Sequence, residues 1–589
     1  MVPGQARRFG RRRMLTLAAG TGLPIVAGAA LLNCSSPSRT EPPAPGAADP
    51  RPGGILKSLL DEDPATLDPI TPSGGVGNQL AAFAYSRLVR FRPGRGSFPD
   101  GMLEGDLAVH WEQPDHTTLL LRLRDGVTFD QRPPTSGRAL TAEDVIAGWQ
   151  VMLDRGTYRS DLAHAADPGA PIVSFTADGD RALRLTLAAP DAQLLPTLAS
   201  RFGLWVLPRE AFDGGFSPQQ EMRGTGPWLL EQRRPSVGFS FRRNPAYYGM
   251  SEAPLLDGVE LPIIAETAQA EAQFRAKNIH GGPALGGGAV SAANMLAVHR
   301  DLPGTRIDLG PPLVLGQTIA IGWREGSPFR DPRVRQAASM LIDRDAMIDT
   351  FNNLPAFQAA GIQMRSTWTT PLSAGFGPYW LDPRGGAFGP NARFFQHDIA
   401  EAQKLLAAAG YAGGFETPFT FIGGANWGRD WQSRAEALMA MLERGGIRCK
   451  ANVVDYNAVF IPRYLRSGGD FDGLAMQRTG SRGDPGQFWS IFFSSSGASS
   501  QVGSQFPELD ALILAQRREL DPARRIAIHH DIQRRFAEWM PAIPQGGHTQ
   551  EPALAWDGLH GPDQHFIWPG GDLGAEAYPA YWLDESLRS

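Results

Sequence analysis

The residues of this chain that could do covalent chemistry do not fall into a pattern that does it. Thr479-Gly480-Ser481-Arg482-Gly483 places a serine between glycines, as in the strained elbow that exposes a nucleophile, but threonine stands where the first glycine is needed. His529 and His530 lie in the arginine-rich run RRIAIHHDIQRRF. Adjacent residues on a helix point about 100° apart, so the pair cannot easily share a metal and reads as a solvated helix face. Asp61-Glu62-Asp63 could attract a cation, but reads more simply as a charged loop. No HExxH zinc helix, CxxC pair or GxxxxGK[ST] phosphate loop occurs. Cys34 and Cys449 are the only cysteines, too few for a disulfide framework. Cys449 alternates with charged residues in Ile447-Arg448-Cys449-Lys450 and reads as a small buried strand residue, not a nucleophile. The expectation is a protein without catalytic residues, metal or cofactor, although a catalytic triad needs no sequence signature.

What the totals permit is a large soluble binder. At 589 residues the chain exceeds one hydrophobic core and should form two or three domains. Hydrophobic content of 42% with 20% charged residues is ordinary for a globular protein. The net charge is −5, and five arginines (7, 8, 11, 12 and 13) stand in the first 33 residues, which hold no acid. Setting those five positive charges aside leaves −10 on the body. An acidic body argues against nucleic acid as partner, because phosphate binding needs a basic face.

The N-terminus reads as an address. Gly10-Arg11-Arg12-Arg13-Met14-Leu15 leads into an uncharged stretch ending at Leu32, with small residues Ala27-Gly28-Ala29-Ala30 near its end. A basic head, an apolar middle and small residues make a signal peptide over residues 1–33, similar to a twin-arginine signal. Leu31-Leu32-Asn33-Cys34 resembles a lipobox that would lead to lipidation of Cys34, with Asn33 departing from the usual small residue. A permanent anchor is the competing reading. No later segment reaches the ~20 apolar residues of a spanning helix. Residues 34–52 are rich in Pro, Ser and Ala and read as a disordered tether.

The elements that would position a binding site announce themselves by local chemistry. Residues 223–249 read RGTGPWLLEQRRPSVGFSFRRNPAYYG. Gly224-Thr225-Gly226-Pro227-Trp228 is a turn, and Val237, Phe239 and Phe241 alternate with Gly238, Ser240 and Arg242 as in a half-buried strand. Leu140-Thr141-Ala142-Glu143-Asp144-Val145 begins a helix capped by Thr141, with acids in its first turn. Asp331 caps another, whose face is Val334, Ala337, Ala338 and Leu341, and Gly410 closes the helix in AEAQKLLAAAGY. Gly446-Ile447 begins a strand, and Gly469-Asp470-Phe471-Asp472 precedes another.

The GTGP turn, hairpin and RNPAYYG segment resembles family 5 solute-binding proteins of ABC importers, the peptide/nickel type. Further pieces resemble the family in its order: Gly53-Gly54-Ile55-Leu56 with Asp63-Pro64-Ala65-Thr66-Leu67-Asp68-Pro69, Leu107 to Glu112, Arg122 to Phe129, Pro328 to Arg344, Ala400 to Tyr411, and Met540 to Pro544. The resemblance spans roughly 53–545. It implies an α/β, periplasmic-binding-protein-like fold, with two ligand-gripping halves joined by a two-segment hinge. The first half would comprise 51–318 plus 537–589, with 93–204 as an extra lobe; the second would be 319–536.

Dipeptide and oligopeptide binders of this family carry an aspartate three residues before an acidic-Pro pair, where it neutralises the peptide's amino terminus. Here Asp484-Pro485 supplies the pair, but the position three before it is Ser481, followed by Arg482. Serine cannot compensate a buried ammonium. Arginine offers a planar fork for carboxylate or phosphate. The expectation is therefore a polar or anionic ligand group at Arg482, within a loop that also brings Thr479, Ser481 and Asp484. The alternative is that Arg482 pairs with Asp484 or another structural carboxylate, and unchanged ligand affinity in Arg482→Ala would decide for it. Ser73, Gly74 and Gly75 align with an early cleft loop whose backbone meets the ligand in relatives. Asn426 and Trp427 lie in GGANWGRDW, where Trp427 would stack on an apolar or sugar-like ligand or pack on the surface. Trp323 stands near the family's Phe-Asn-Thr, beside the hinge, where it would fill part of the pocket.

The resemblance implies an exported, monomeric substrate-binding component that delivers a peptide-like or small polar, anionic solute to a membrane permease and ATPase. An exported periplasmic hydrolase and a solute-binding sensory receptor are the alternatives.

Overall fold

A computed structural model describes residues 50–71, 75–92, 101–249, 254–281, 288–312, 316–423, 427, 430–480, 483–561 and 575–588. All of them belong to the body Asp49–Ser589. The expected signal peptide, most of the tether and Cys34 lie outside the described residues.

The hairpin predicted from 223–249 forms. Strands Trp228–Arg234 and Gly238–Arg243 pair antiparallel, and Gly258–Pro262 and Ile55–Lys57 extend the sheet. Phe239 and Phe241 point into the core, and Phe241 stacks on Phe83 with centroids 4.6 Å apart. Val237 is exposed, because it falls in the turn next to Ser236 and not in the strand. The flanking motifs lock one another. Gly226 N–H donates to Ala84 O (2.8 Å), the Asn244 side chain donates to Gly226 O (2.8 Å), and Thr225 Oγ1 donates to Ser86 (2.9 Å). A Cβ on Gly224 would lie 1.9 Å from Ala84 O, so only glycine fits there.

A second sheet, in the order Ala108–Asp115, Thr118–Leu123, Ala182–Leu187, Ile172–Ala177, is covered by helix Ala142–Arg155. Asp144 accepts from Thr141 N–H (3.0 Å) and from Arg138, which fixes the start of that helix.

The third sheet positions the site. Its order is Ile447–Val454, Phe415–Ile422, Leu474–Thr479, Gly316–Ile321, Ala542–Pro544. The first three strands are parallel, and Gly316–Ile321 runs antiparallel to both its neighbours. A fourth sheet joins Thr305–Pro312, Gly547–Trp556 and Ser366–Trp368. Two of the chain's four crossings between these last two sheets are short, at 312–316 and at 544–547, and they leave neighbouring strands because Thr318 pairs with Pro544; the other two flank Ser366–Trp368.

Asp331 caps helix Pro332–Met340 through Arg333 N–H (2.8 Å). Arg335, one turn on, is buried and donates to the carbonyls of Trp539 (2.9 Å) and Phe329 (2.8 Å). The PFRDPRVRQA motif is therefore scaffold: it ties this helix to the end of helix Pro522–Trp539.

Candidate functional site

In an open α/β sheet, ligands bind in the crevice outside the carboxyl ends of the parallel strands. Here that edge is marked by Gly423, after Phe415–Ile422, and Gly480, after Leu474–Thr479. Gly316 begins its strand and Pro544 ends its strand at the same edge, so both passages between the sheets border the crevice.

Strand alternation decides which side chains reach the crevice. Thr479 is fully buried and its hydroxyl has no hydrogen-bond partner. It packs beside Gly316, where a Cβ would stand 2.1 Å from its Oγ1. Thr479 is thus enclosed and not open to a solute. Its neighbour Arg478 points to the opposite face and is half-buried. Burial lowers its pKa, while Glu551 and Asp430 oppose that shift.

Glu551 lies on Gly547–Trp556 and is the exposed residue of that strand. The pairing with Thr305–Pro312 shifts register between Leu309 and Pro312, opposite Glu551. A bulge of this kind re-aims a side chain. Desolvation pushes the Glu551 carboxyl up to about 7, and the Arg478 charge opposes this shift. Among the described residues, neither the Arg478 nor the Glu551 side chain makes a hydrogen bond or ion pair. Sequence reasoning passed over both; the one available signal was a lone acid inside the strand HTQEPALAW.

Among the described residues near this edge, Asp430 and Asp484 are both committed. Asp430 is paired with Arg434. Asp484 accepts from Gly486 N–H (2.7 Å) as cap of helix Pro485–Phe492, and both its oxygens are gripped by Arg525, with Nη1–Oδ2 at 2.9 Å. Asp484 and Arg525 are both buried. The acidic-Pro pair is therefore a buried structural joint between that helix and Pro522–Trp539.

Trp427 is partly buried and carries three aromatic neighbours edge-on: Trp431, Tyr456 and Phe460, at centroid distances of 5.0, 5.3 and 5.2 Å. Trp323 lies past the carboxyl end of Gly316–Ile321, about 20 Å along the strand from the Thr479 edge. Its Nε1 donates to Gln501 O (3.0 Å), and Gly469 (φ +82°) makes room for its ring. The structure does not bring Trp323 to the crevice. Gly75 opens helix Gly75–Ala84. Ser73, Gly74, Asn426, Ser481 and Arg482 lie outside the described residues.

A contact from the first half of the chain reaches this region. Arg517 Nε donates to Asp191 (2.7 Å), Ala192 N–H donates to Arg517 O (2.8 Å), and Gln487 donates to Thr197 Oγ1 (2.6 Å). Asp191 is buried and its pKa is raised, chiefly by desolvation.

His529 corrects the sequence reading. It is fully buried, not on a solvated face, and its Nδ1 accepts from Trp489 Nε1 (3.0 Å). Burial and the nearby Arg525 hold its pKa well below the usual value, so it is a neutral core residue. His530 meets Pro378 O instead (2.9 Å). Cys449 lies on the edge strand Ile447–Val454 and is half-buried, with its thiol pushed up to about 12 by desolvation. No group of three or more metal-ligating side chains occurs among the described residues, and no helix among them is long and apolar enough to cross a membrane.

The family model for bacterial extracellular solute-binding proteins, family 5, matches residues 102–500. The chain is 24% identical over 527 residues to the probable di/tripeptide-binding protein 5 of Pseudomonas aeruginosa, covering 84% of this chain and 91% of that one. The solved periplasmic binding protein DppA from Helicobacter pylori, in complex with the peptide STSA, superposes with a TM-score of 0.67 at 20% identity, over 91% of this chain and 99% of that one. HbpA2 from Haemophilus parasuis superposes with a TM-score of 0.71 at 20% identity, over 90% and 100%. The two-halved fold is shared with these structures.

Proposed function

The chain belongs to the bacterial extracellular solute-binding proteins of family 5, and from that premise we propose that it captures a peptide-like or small polar solute between its halves and delivers it to an ABC permease and ATPase. The single observation that supports this reading best is the pairing of two adjacent chain passages, at 312–316 and 544–547, with a separate contact between the halves at Asp191–Arg517. Two passages make a hinge and a distant contact makes a closed state, the geometry of a clamp. The halves are residues 51–318 plus 537–589 and 319–536, with 93–204 as an extra lobe on the first.

Export through the twin-arginine-like signal, with Cys34 as lipid anchor and residues 34–52 as tether, belongs to the same reading, as does action as a monomer. Arg482 remains a proposed contact for a polar ligand group.

Mass spectrometry of small molecules released from natively purified protein tests the function. A polar solute retained at one per chain is the expected result. The reading fails if none is retained and no peptide, sugar or metal chelate raises the thermal midpoint.

A further inference from the structure

We propose that a cavity walled by residues 68–219, separate from the crevice, is a second binding site, and that it takes a short uncharged saccharide, free or at the end of a glycan chain. This does not rest on the solute-binding reading above.

The cavity has a volume of about 350 Å³. Small-molecule sites hold roughly 300–1,000 Å³. Three pieces of chain wall it: the turn after Leu67, the end of helix Ala142–Arg155, and the loop from Ala211 to Gln219. Backbone hydrogen bonds hold these walls in place. Leu67 N–H donates to Gln219 O (3.1 Å), Thr157 N–H to Ile70 O (3.1 Å), and Gly215 N–H to Glu210 O (2.8 Å). The site is thus preformed, as small-molecule sites usually are. No residue of the third or fourth sheet lines it, so its occupant and a solute in the crevice have separate places.

The lining selects the ligand class. Asp68 and Arg155 bring one charge of each sign to the same cavity. The Asp68 carboxylate is buried and already held by three donors: Oδ1 accepts from Ile70 N–H (2.8 Å) and Thr71 N–H (2.9 Å), and Oδ2 from Thr71 Oγ1 (3.2 Å). Arg155 lies 3.9 Å from Asp154 and is 60% exposed, so water screens it. The formal charge of the lining is zero, and an anion would meet Asp68 as a cation would meet Arg155.

What remains are neutral groups of both kinds. Ser217 Oγ donates to Gln219 Oε1 (2.9 Å), which leaves the serine oxygen to accept and the Gln219 amide N–H groups to donate. Thr71 Oγ1, spent as a donor on Asp68, adds a second acceptor. Sugar hydroxyls donate and accept at once, and so match this set. Phe212 and Phe216 are half-buried rings, packed on the core, that also line the cavity. They offer apolar surface to the C–H face of a sugar ring. A wholly apolar ligand would strip water from Thr71, Ser217 and Gln219 without replacing its hydrogen bonds. A saccharide bound here stabilises the chain by mass action, whether or not the crevice is filled.

The test uses the full chain and four probes: methyl glucoside, its amino counterpart methyl glucosaminide, its acid counterpart methyl glucuronide, and a soluble maltodextrin. Binding is read by saturation-transfer NMR and thermal midpoint. Methyl glucoside should bind at least tenfold more tightly than either charged counterpart. Maltodextrin binding as well supports a chain end as the ligand, and its exclusion supports a free sugar. Phe216→Ala should weaken methyl glucoside at least tenfold. Arg155→Gln, at an exposed position that spares the fold, leaves Asp68 as the one charge of the lining and should turn the preference about tenfold toward the amino sugar. Equal binding of neutral and charged probes, no binding of any of them, or preferences unchanged in both variants overturns the inference. So does displacement of methyl glucoside by a mixture of amino acids and dipeptides, which would place the sugar in the crevice and leave the solute-binding reading standing. Sugar bound in this cavity with no solute of any class in the crevice would overturn that reading and keep this inference.

Discussion

Arg525→Ala should be the most damaging single substitution near the crevice, costing about 3–5 kcal/mol of stability. It removes the guanidinium from a buried carboxylate. Asp484 would keep only the Gly486 N–H as donor, with no cation to balance its charge. The Arg525 side chain also donates to Gln516 O (3.2 Å) and lies over the Tyr379 ring, so packing is lost as well. The measurement is the urea or thermal unfolding of the variant. The double variant Asp484→Asn/Arg525→Met is the decisive comparison. Removing both charges should recover a large part of the loss, because an apolar replacement of a buried pair is often near neutral. A double variant as unstable as the single one would show that charge compensation is not the cause.

Arg517→Ala should leave the fold standing and weaken solute binding. Truncating one member of a desolvated pair costs about 2–5 kcal/mol and acts mainly on dissociation. Arg517 is partly open to water, so the lower end applies, which corresponds to dissociation faster by about tenfold or more. In the proposed division Asp191 and Arg517 belong to different halves, so their contact would exist only while the halves meet. Breaking it leaves Asp191 desolvated in the closed state and free to hydrate in the open one. Stopped-flow fluorescence with the released solute should show association little changed and dissociation accelerated. Small-angle scattering of the unliganded variant should give a larger radius of gyration than the wild type. Unchanged dissociation would separate this contact from the clamp.

The fold was legible because its landmarks are local. The GTGPW turn, the Phe239/Phe241 alternation, the Asp331 cap and the strands after Gly446 and Gly469 each depend on neighbours within a few residues. Even local reading slipped where phase mattered: Val237 fell into the turn, and Thr479 into the core. A shift of one residue exchanges the faces of a strand, so selecting Thr479 meant overlooking Arg478. His529 looked solvated among arginines, but those arginines serve different faces of the helix. Arg525 turns inward to Asp484, and Trp489, from another helix, supplies the donor that His529 meets.

The sequence by itself determined the family, the order of elements and the two-halved architecture, because turns, caps and hydrophobic periods are set by short-range sterics and hydrogen bonding. It also ruled against nucleic-acid binding through charge. Only the tertiary structure decided which charges are used up and which remain. Asp484, conspicuous beside proline, is neutralised by a helix some forty residues on. Pairing of charges depends on distance in space and on desolvation, and neither quantity is written in sequence separation.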